Sequence, residues 1–149
     1  VATNEWKYNA DLQIDLDPDL PFVPCNVGEI NQVVLNLIVN AAHAIKDRHQ
    51  EGEKGIIGIS TKQYGDYVVI TIQDNGGGIP EKVQPKVFEP FFTTKEVGVG
   101  TGQGLAIAHN VITKSHGGHI WFETELGVGT TFFIRLPLEA TQEPVEAQS

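Results

Sequence analysis

From about Asn26 to about Gln50 the apolar residues recur with the period of a helix. Ile30, Val33, Val34, Leu37, Ile38, Ala41 and Ile45 fall on one wide face, and Glu29, Gln32, Asn36, Asn40, His43 and Asp47 form a polar stripe beside it. Asn26 is placed as an N-cap, with Glu29 three residues on in a capping-box arrangement. The period then falls to two. GIIGISTKQY (55–64) and YVVITIQ (67–73) read as strands joined at Gly65-Asp66, a hairpin signal. HIWFETE (119–125) and TTFFIRLP (130–137) form a second hairpin across 126–129. WKYNADLQIDLD (6–17) alternates as an edge strand does, and LPFVPC (20–25) is a short extended segment interrupted by prolines. Leu105 to Ser115 reads as a second helix, closed by Gly117-Gly118 at the left-handed cap position. Between these elements, residues 75–103 are rich in glycine and proline and show little periodicity. A loop that long in a compact domain usually carries function. Two helices of good length with five or six strands predict an α/β two-layer sandwich (α+β in its segregation) with a mixed sheet. One domain is expected over 1–138, with a polar, disordered tail over 139–149.

Composition narrows the function more than the fold. With 149 residues the chain can bury a real core. Nineteen acidic residues against ten Lys plus Arg, for a net charge of −9, argue against a nucleic-acid partner, which calls for a basic face. The lone Cys25 excludes an internal disulfide and suits a reducing compartment. No apolar run approaches the roughly 20 residues a membrane-spanning helix requires. The chain starts at Val1 and contains no Met, so it is expected to be a piece of a longer protein.

Three stretches carry candidate chemistry. In NQVVLNLIVNAAHAI (31–45), Asn36 and Asn40 are four apart and share one helix face. Asparagine is a poor helix former, because its amide competes for backbone hydrogen bonds. The pair reads either as a solvated stripe or as oxygen ligands for a hard cation such as Mg²⁺. In DNGGGIP (74–80), Asp74 ends an apolar strand and three glycines follow. An Asp-Asn-Gly turn would account for the start of this run. The later glycines suggest close approach of something other than protein, and a carboxylate there could accept a hydrogen bond from an exocyclic amine. In GVGTGQGLAIA (98–108), alternating glycines lead into a helix start, where backbone N–H groups can meet phosphate oxygens. The spacing is neither that of a P-loop nor that of a dinucleotide fingerprint. By itself this loop is a weak signal.

Taken in order, NLIVNA, DNGGGIP, FEPFFTTK, GTGQGLAIA and GVGTTFF resemble the ATP-binding catalytic domain of sensor histidine kinases, within the wider gyrase, chaperone, kinase and mismatch-repair ATPase superfamily. The resemblance covers about residues 20–137. It implies the Bergerat fold, a mixed sheet backed by helices, with ATP held between the long helix and a flexible lid. It implies Mg²⁺ on Asn36 and Asn40, the adenine amine on Asp74, and the first glycine box around Gly76, Gly78 and Ile79. The second box would wrap the phosphates with Gly100, Thr101, Gly102, Gln103, Gly104 and Leu105, aided by His43, Thr94 and Lys95. Thr130 matches a hydroxyl that joins the water network around adenine in relatives. The implied catalytic residues are Asn36, Asn40 and Lys95.

Hydrolysing relatives carry a glutamate where this chain has Asn36, and an amide cannot act as the general base for water. Many sensor kinases carry lysine where His43 stands, followed by tyrosine where Ala44 stands, and Gln103 replaces a usual leucine. HAI and FEPFFTTK look more like the nitrogen-regulation type, with Lys95 supplying the missing positive charge. The expected activity is transfer of the γ-phosphate of Mg-ATP to a histidine on a separate dimerisation domain, for signalling to a response regulator. The parent is expected to be a homodimer, this chain a monomer on the cytoplasmic side, with inner-membrane anchoring of the parent left open. The alternative is an ATP-binding regulatory module or a serine kinase of the same fold. Phe88, Phe91 and Phe92 read equally as a core cluster or as a docking surface. The histidines at 43, 49, 109, 116 and 119 lack metal spacing, and a helix-end role is expected near His116. Trp6, Trp121 and Phe132 are assigned to packing.

Overall fold

The computed structural model describes residues 10–18, 23–48, 55–89 and 104–138. Five strands form one sheet: β1 (Ala10–Asp15), β2 (Gly55–Tyr64), β3 (Tyr67–Asp74), β4 (His119–Glu125) and β5 (Gly129–Pro137). Their spatial order is β1-β2-β3-β5-β4. Among the described strands only β1 and β2 run parallel to each other, so the sheet is mixed as the pattern predicts. The long helix α1 spans Val27–Arg48, and α2 spans Gly104–Asn110. Residues 23–26 form no strand and lead irregularly into α1, and the rest of the expected extended segment, 20–22, lies outside the described residues.

Strand alternation decides which side chains meet the helices. Ile57, Val68, Ile72, Ile120, Phe132, Ile134 and Leu136 are buried on one face of the sheet. Against them lie Ile30, Val33, Leu37, Ile38, Ala41, Ala42 and Ile45 of α1, with Ala108 and Ile112 from the second helical stretch. The face carrying Trp121 and Phe133, which stack at 5.1 Å, is left open. Trp121 therefore packs at an edge strand, while Phe132 belongs to the core.

The cap of α1 forms, with a change of partner. Glu29 N–H donates to Asn26 Oδ1 at 3.0 Å, as predicted. The reciprocal bond is made by His116: Asn26 N–H donates to its Nε2 at 3.0 Å. Nε2 thus accepts, so Nδ1 carries the proton and faces the Val111 carbonyl at 2.9 Å. The second helix also departs from the prediction. It is α-helical only to Asn110 and widens to a π-helical turn over Val111–Ser115. Thr113 Oγ1 donates back to the His109 carbonyl at 2.7 Å, competing with the regular ladder among β-branched neighbours. Gly117, at φ +65°, then turns the chain into β4.

Candidate functional site

The site grows from the end of β3. Asp74 pairs across the sheet with Thr130, and each is only 4 % exposed. Both point to the helix side, because they continue the faces of Ile72 and Phe132. Asp74 Oδ1 accepts the Gly76 N–H at 2.8 Å. Burial nonetheless pushes its carboxyl up to about 6, with the N–H groups of Gly76 and Thr130 pulling the other way. A buried acid held by backbone donors, with no cation beside it among the described residues, is costly in a fold. Its position at a strand end next to a glycine turn makes it a candidate for ligand recognition.

The glycines after Asp74 are required by crowding from the protein's own backbone, rather than by the non-protein neighbour that the run of glycines suggested. A Cβ on Gly76 would stand 2.8 Å from the backbone of Ala44 in α1. Gly78 has φ +84°, and a Cβ there would lie 2.5 Å from the Glu125 carbonyl oxygen. The first glycine stretch is thus clamped between α1 and the β4–β5 turn, with Gly127 N–H donating to the Gly77 carbonyl at 2.9 Å. Asn75 ties the same turn to β2 by accepting the Ile56 N–H at 2.8 Å.

Contact at Ala44 fixes where the asparagines lie. Asn36, Asn40 and Ala44 are successive members of one i, i+4 row, so the amide stripe runs away from the glycine turn along α1. Asn36, Asn40 and His43 are all half-buried. Asn36 Oδ1 accepts from Gln32 Nε2 at 2.9 Å, so the amide is held in place along the stripe. Ile79 packs against the core beside Val83 and Phe88.

Phe88 settles one of the paired readings of the phenylalanines. Its ring lies 5.2 Å from His109, 5.9 Å from Phe122 and 6.3 Å from Phe132. It pins the loop after β3 onto the second helix and the sheet. Gly104 opens α2 and Leu105 packs on the core. Phe91, Phe92, Thr94, Lys95, Gly100, Thr101, Gly102 and Gln103 lie outside the described residues, as do Trp6, His49 and the tail from 139.

Two polar residues on this side were not singled out by sequence. Thr124 accepts the Ile79 N–H at 2.9 Å and lies 2.8 Å from Thr130 Oγ1. The signal was available: in HIWFETE, Thr124 continues the inward positions of Ile120 and Phe122, where another apolar residue is expected. Asn75 was read only as part of a turn. A groove of about 480 Å³ reaches Asp74 and Thr130 from below, lined by Gln13, Gly58, Gln73, Glu123 and Thr131. Those residues belong to the open face of the sheet, opposite the Asp74 side chain, and Asn75 and Thr124 line the same groove at its Asp74 end.

A mixed sheet backed on one face by a long helix, with a buried strand-end carboxylate and a glycine turn pressed against that helix, defines a nucleotide-binding α/β domain. The comparisons with known proteins make the class specific. Residues 26–140 match the family described as histidine kinase-, DNA gyrase B- and HSP90-like ATPase. The chain belongs to that family, as an ATP-binding catalytic domain of the sensor histidine kinase type. It is 42 % identical to the sensor kinase CckA of Brucella abortus, covering 85 % of this chain and 14 % of that protein. It is 36 % identical to the sensor histidine kinase ZraS of Escherichia coli, covering 96 % of this chain and 29 % of that one. Among solved structures, the catalytic domain of histidine kinase ThkA superposes with a TM-score of 0.73 at 36 % identity, over 89 % of this chain and 82 % of that one. ThkA is also known in complex with the response regulator TrrA. The chain therefore spans under a third of the length of the curated relatives it matches. Among the described residues, no helix is long and apolar enough to cross a membrane.

Proposed function

We propose that this domain binds Mg²⁺-ATP and presents the γ-phosphate to a histidine carried by a separate dimerisation domain of a longer, homodimeric parent. A downstream response regulator would take the phosphoryl group onward, and the domain would work on the cytoplasmic side. The observation that carries the adenine end is the buried Asp74 carboxylate. Held by two backbone N–H groups, it keeps lone pairs free for an exocyclic amine. Gly76 and Gly78 seat the turn beside this carboxylate, since a side chain at either would strike Ala44 or the Glu125 carbonyl and push the turn away from α1 and the β4–β5 turn.

The amide oxygens of Asn36 and Asn40 fit a hard cation shared with phosphates, and they would hold Mg²⁺. Bound there, the ion would neutralise phosphate charge during transfer. His43, on the same stripe, would reach toward phosphate from the position where many sensor kinases carry lysine, and the residues from Thr94 to Gly104 would close over the triphosphate. Lys95 would supply positive charge. The remaining work is positioning, which dominates phosphoryl transfer. In the transfer step a nitrogen of the incoming imidazole bonds to the γ-phosphorus as the β–γ bridging oxygen departs with ADP. Asn36 has no proton affinity with which to activate water, so transfer is favoured over hydrolysis.

Calorimetric titration of the wild type and Asp74→Asn with Mg-ATP tests the site. Saturable binding that the substitution abolishes is expected, since a mispaired buried group costs about 1–3 kcal/mol. Affinity unchanged within about twofold, less than half a kcal/mol, would remove the adenine assignment.

A further inference from the structure

The Thr124 hydroxyl is approached from three directions. Ile79 N–H donates to it at 2.9 Å, the Gly129 carbonyl lies 3.1 Å away, and Thr130 Oγ1 lies 2.8 Å away. A hydroxyl has one hydrogen and two lone pairs. The Gly129 carbonyl can only accept, and the Ile79 N–H can only donate. All three contacts are satisfied by a single assignment, in which Thr124 donates to Gly129 O and the Thr130 hydroxyl donates to Thr124. Thr130 then has no hydrogen left for the site and offers lone pairs alone. Directly across the strand pair, ionised Asp74 also offers lone pairs alone. Cross-strand partners hold their Cβ atoms about 4.5–5.5 Å apart, so the two acceptors share one small region.

We propose that Thr124 is a specificity-determining positioning residue: by fixing the direction of the Thr130 hydrogen, it makes the base-binding end of the site acceptor-only. Such a region takes the two N–H groups of a 6-amino purine. It opposes the carbonyl of a 6-oxo purine, which would set a third acceptor against two. The inference rests on the reading of Asp74 as the base-binding residue. It goes further in assigning discrimination to a residue one hydrogen bond removed from the ligand.

The test is the ratio of ATP to ITP affinity, measured by calorimetry on the whole chain. Thr124→Val frees the Thr130 hydrogen to turn toward a 6-oxo group, so the ratio should fall about tenfold, one hydrogen bond's worth. Thr124→Ser should keep the wild-type ratio. Thr130→Val should lower the ratio as well, and adding Thr124→Val to it should change nothing further. Equal weakening of both nucleotides by Thr124→Val would reduce Thr124 to a structural support for Ile79 and overturn the proposal. Thr130→Val retaining full discrimination would overturn it independently, even if Thr124→Val fails to fold. A wild type that binds neither nucleotide, or both alike, would instead refute the reading of Asp74 on which the inference stands.

Discussion

Asp74 on β3 and Thr130 on β5 are cross-strand partners, and the Thr130 backbone N–H donates to the Asp74 carboxylate inside the protein. The bond does not fully compensate burial, since the carboxyl is raised from 3.8 to about 6. An acid raised in the folded state holds its proton longer folded than unfolded, so stability declines as pH rises between those two values. The nucleotide-free domain should therefore lose stability from about pH 4 to about pH 6 through this group, with the full cost present above that window. Asp74→Asn should stabilise the free domain at pH 7 by about 1–3 kcal/mol, with the gain fading toward pH 4. Urea unfolding of both proteins across this range checks it. A difference that does not vary with pH would show that ionisation of Asp74 is not the source.

Gly78 and Gly117 both have positive φ but differ in surroundings, and the difference predicts separate costs. At Gly117 a Cβ would meet nothing within 4 Å, so Gly117→Ala should cost only the backbone term of about 1 kcal/mol. At Gly78 the Cβ would also strike the Glu125 carbonyl at 2.5 Å, so Gly78→Ala should cost about 2–4 kcal/mol and loosen the glycine turn. Equal costs in unfolding experiments would mean that the β4–β5 turn yields freely.

Asn36→Ala and Asn40→Asp should alter the magnesium dependence of ATP binding more than binding without metal. Gln32→Ala should have a smaller effect in the same direction, because Gln32 only holds the Asn36 amide by a 2.9 Å bond. Titrations over a range of Mg²⁺ read this out. Retained magnesium sensitivity in both asparagine variants would take the metal away from this helix face.

Much of this architecture was legible because period and punctuation agreed. The α1 stripe, both hairpins and the Asn26 cap follow from local chemistry that tertiary packing did not need to override. What escaped was nonlocal. Nothing within a few residues of Asn26 announces that His116, ninety positions away, completes its cap. The π-helical turn at Val111–Ser115 follows from crowding of β-branched residues and the Thr113 back-bond, which helical periodicity does not register. At the site, Asp74 and the glycines stood out because each is costly where it stands. Thr124 did not, since a strand threonine is ordinary until its three hydrogen-bond partners are known. Family resemblance supplied the roles of the asparagines, which spacing alone left between solvated stripe and cation ligand.

The division of labour between this domain and a histidine-bearing partner is tested most directly by labelling. Its described histidines at 43, 109, 116 and 119 are followed by Ala44, Asn110, Gly117 and Ile120, so none has the adjacent acid expected to orient a substrate imidazole. The chain should be incubated with γ-labelled Mg-ATP alone and then with the helical dimerisation domain of its parent in trans. The account predicts no more than trace label or phosphate release from the chain alone, and acid-labile label on the partner's histidine once that domain is added. Acid-labile phosphate on this chain by itself, or steady release of inorganic phosphate, would contradict it.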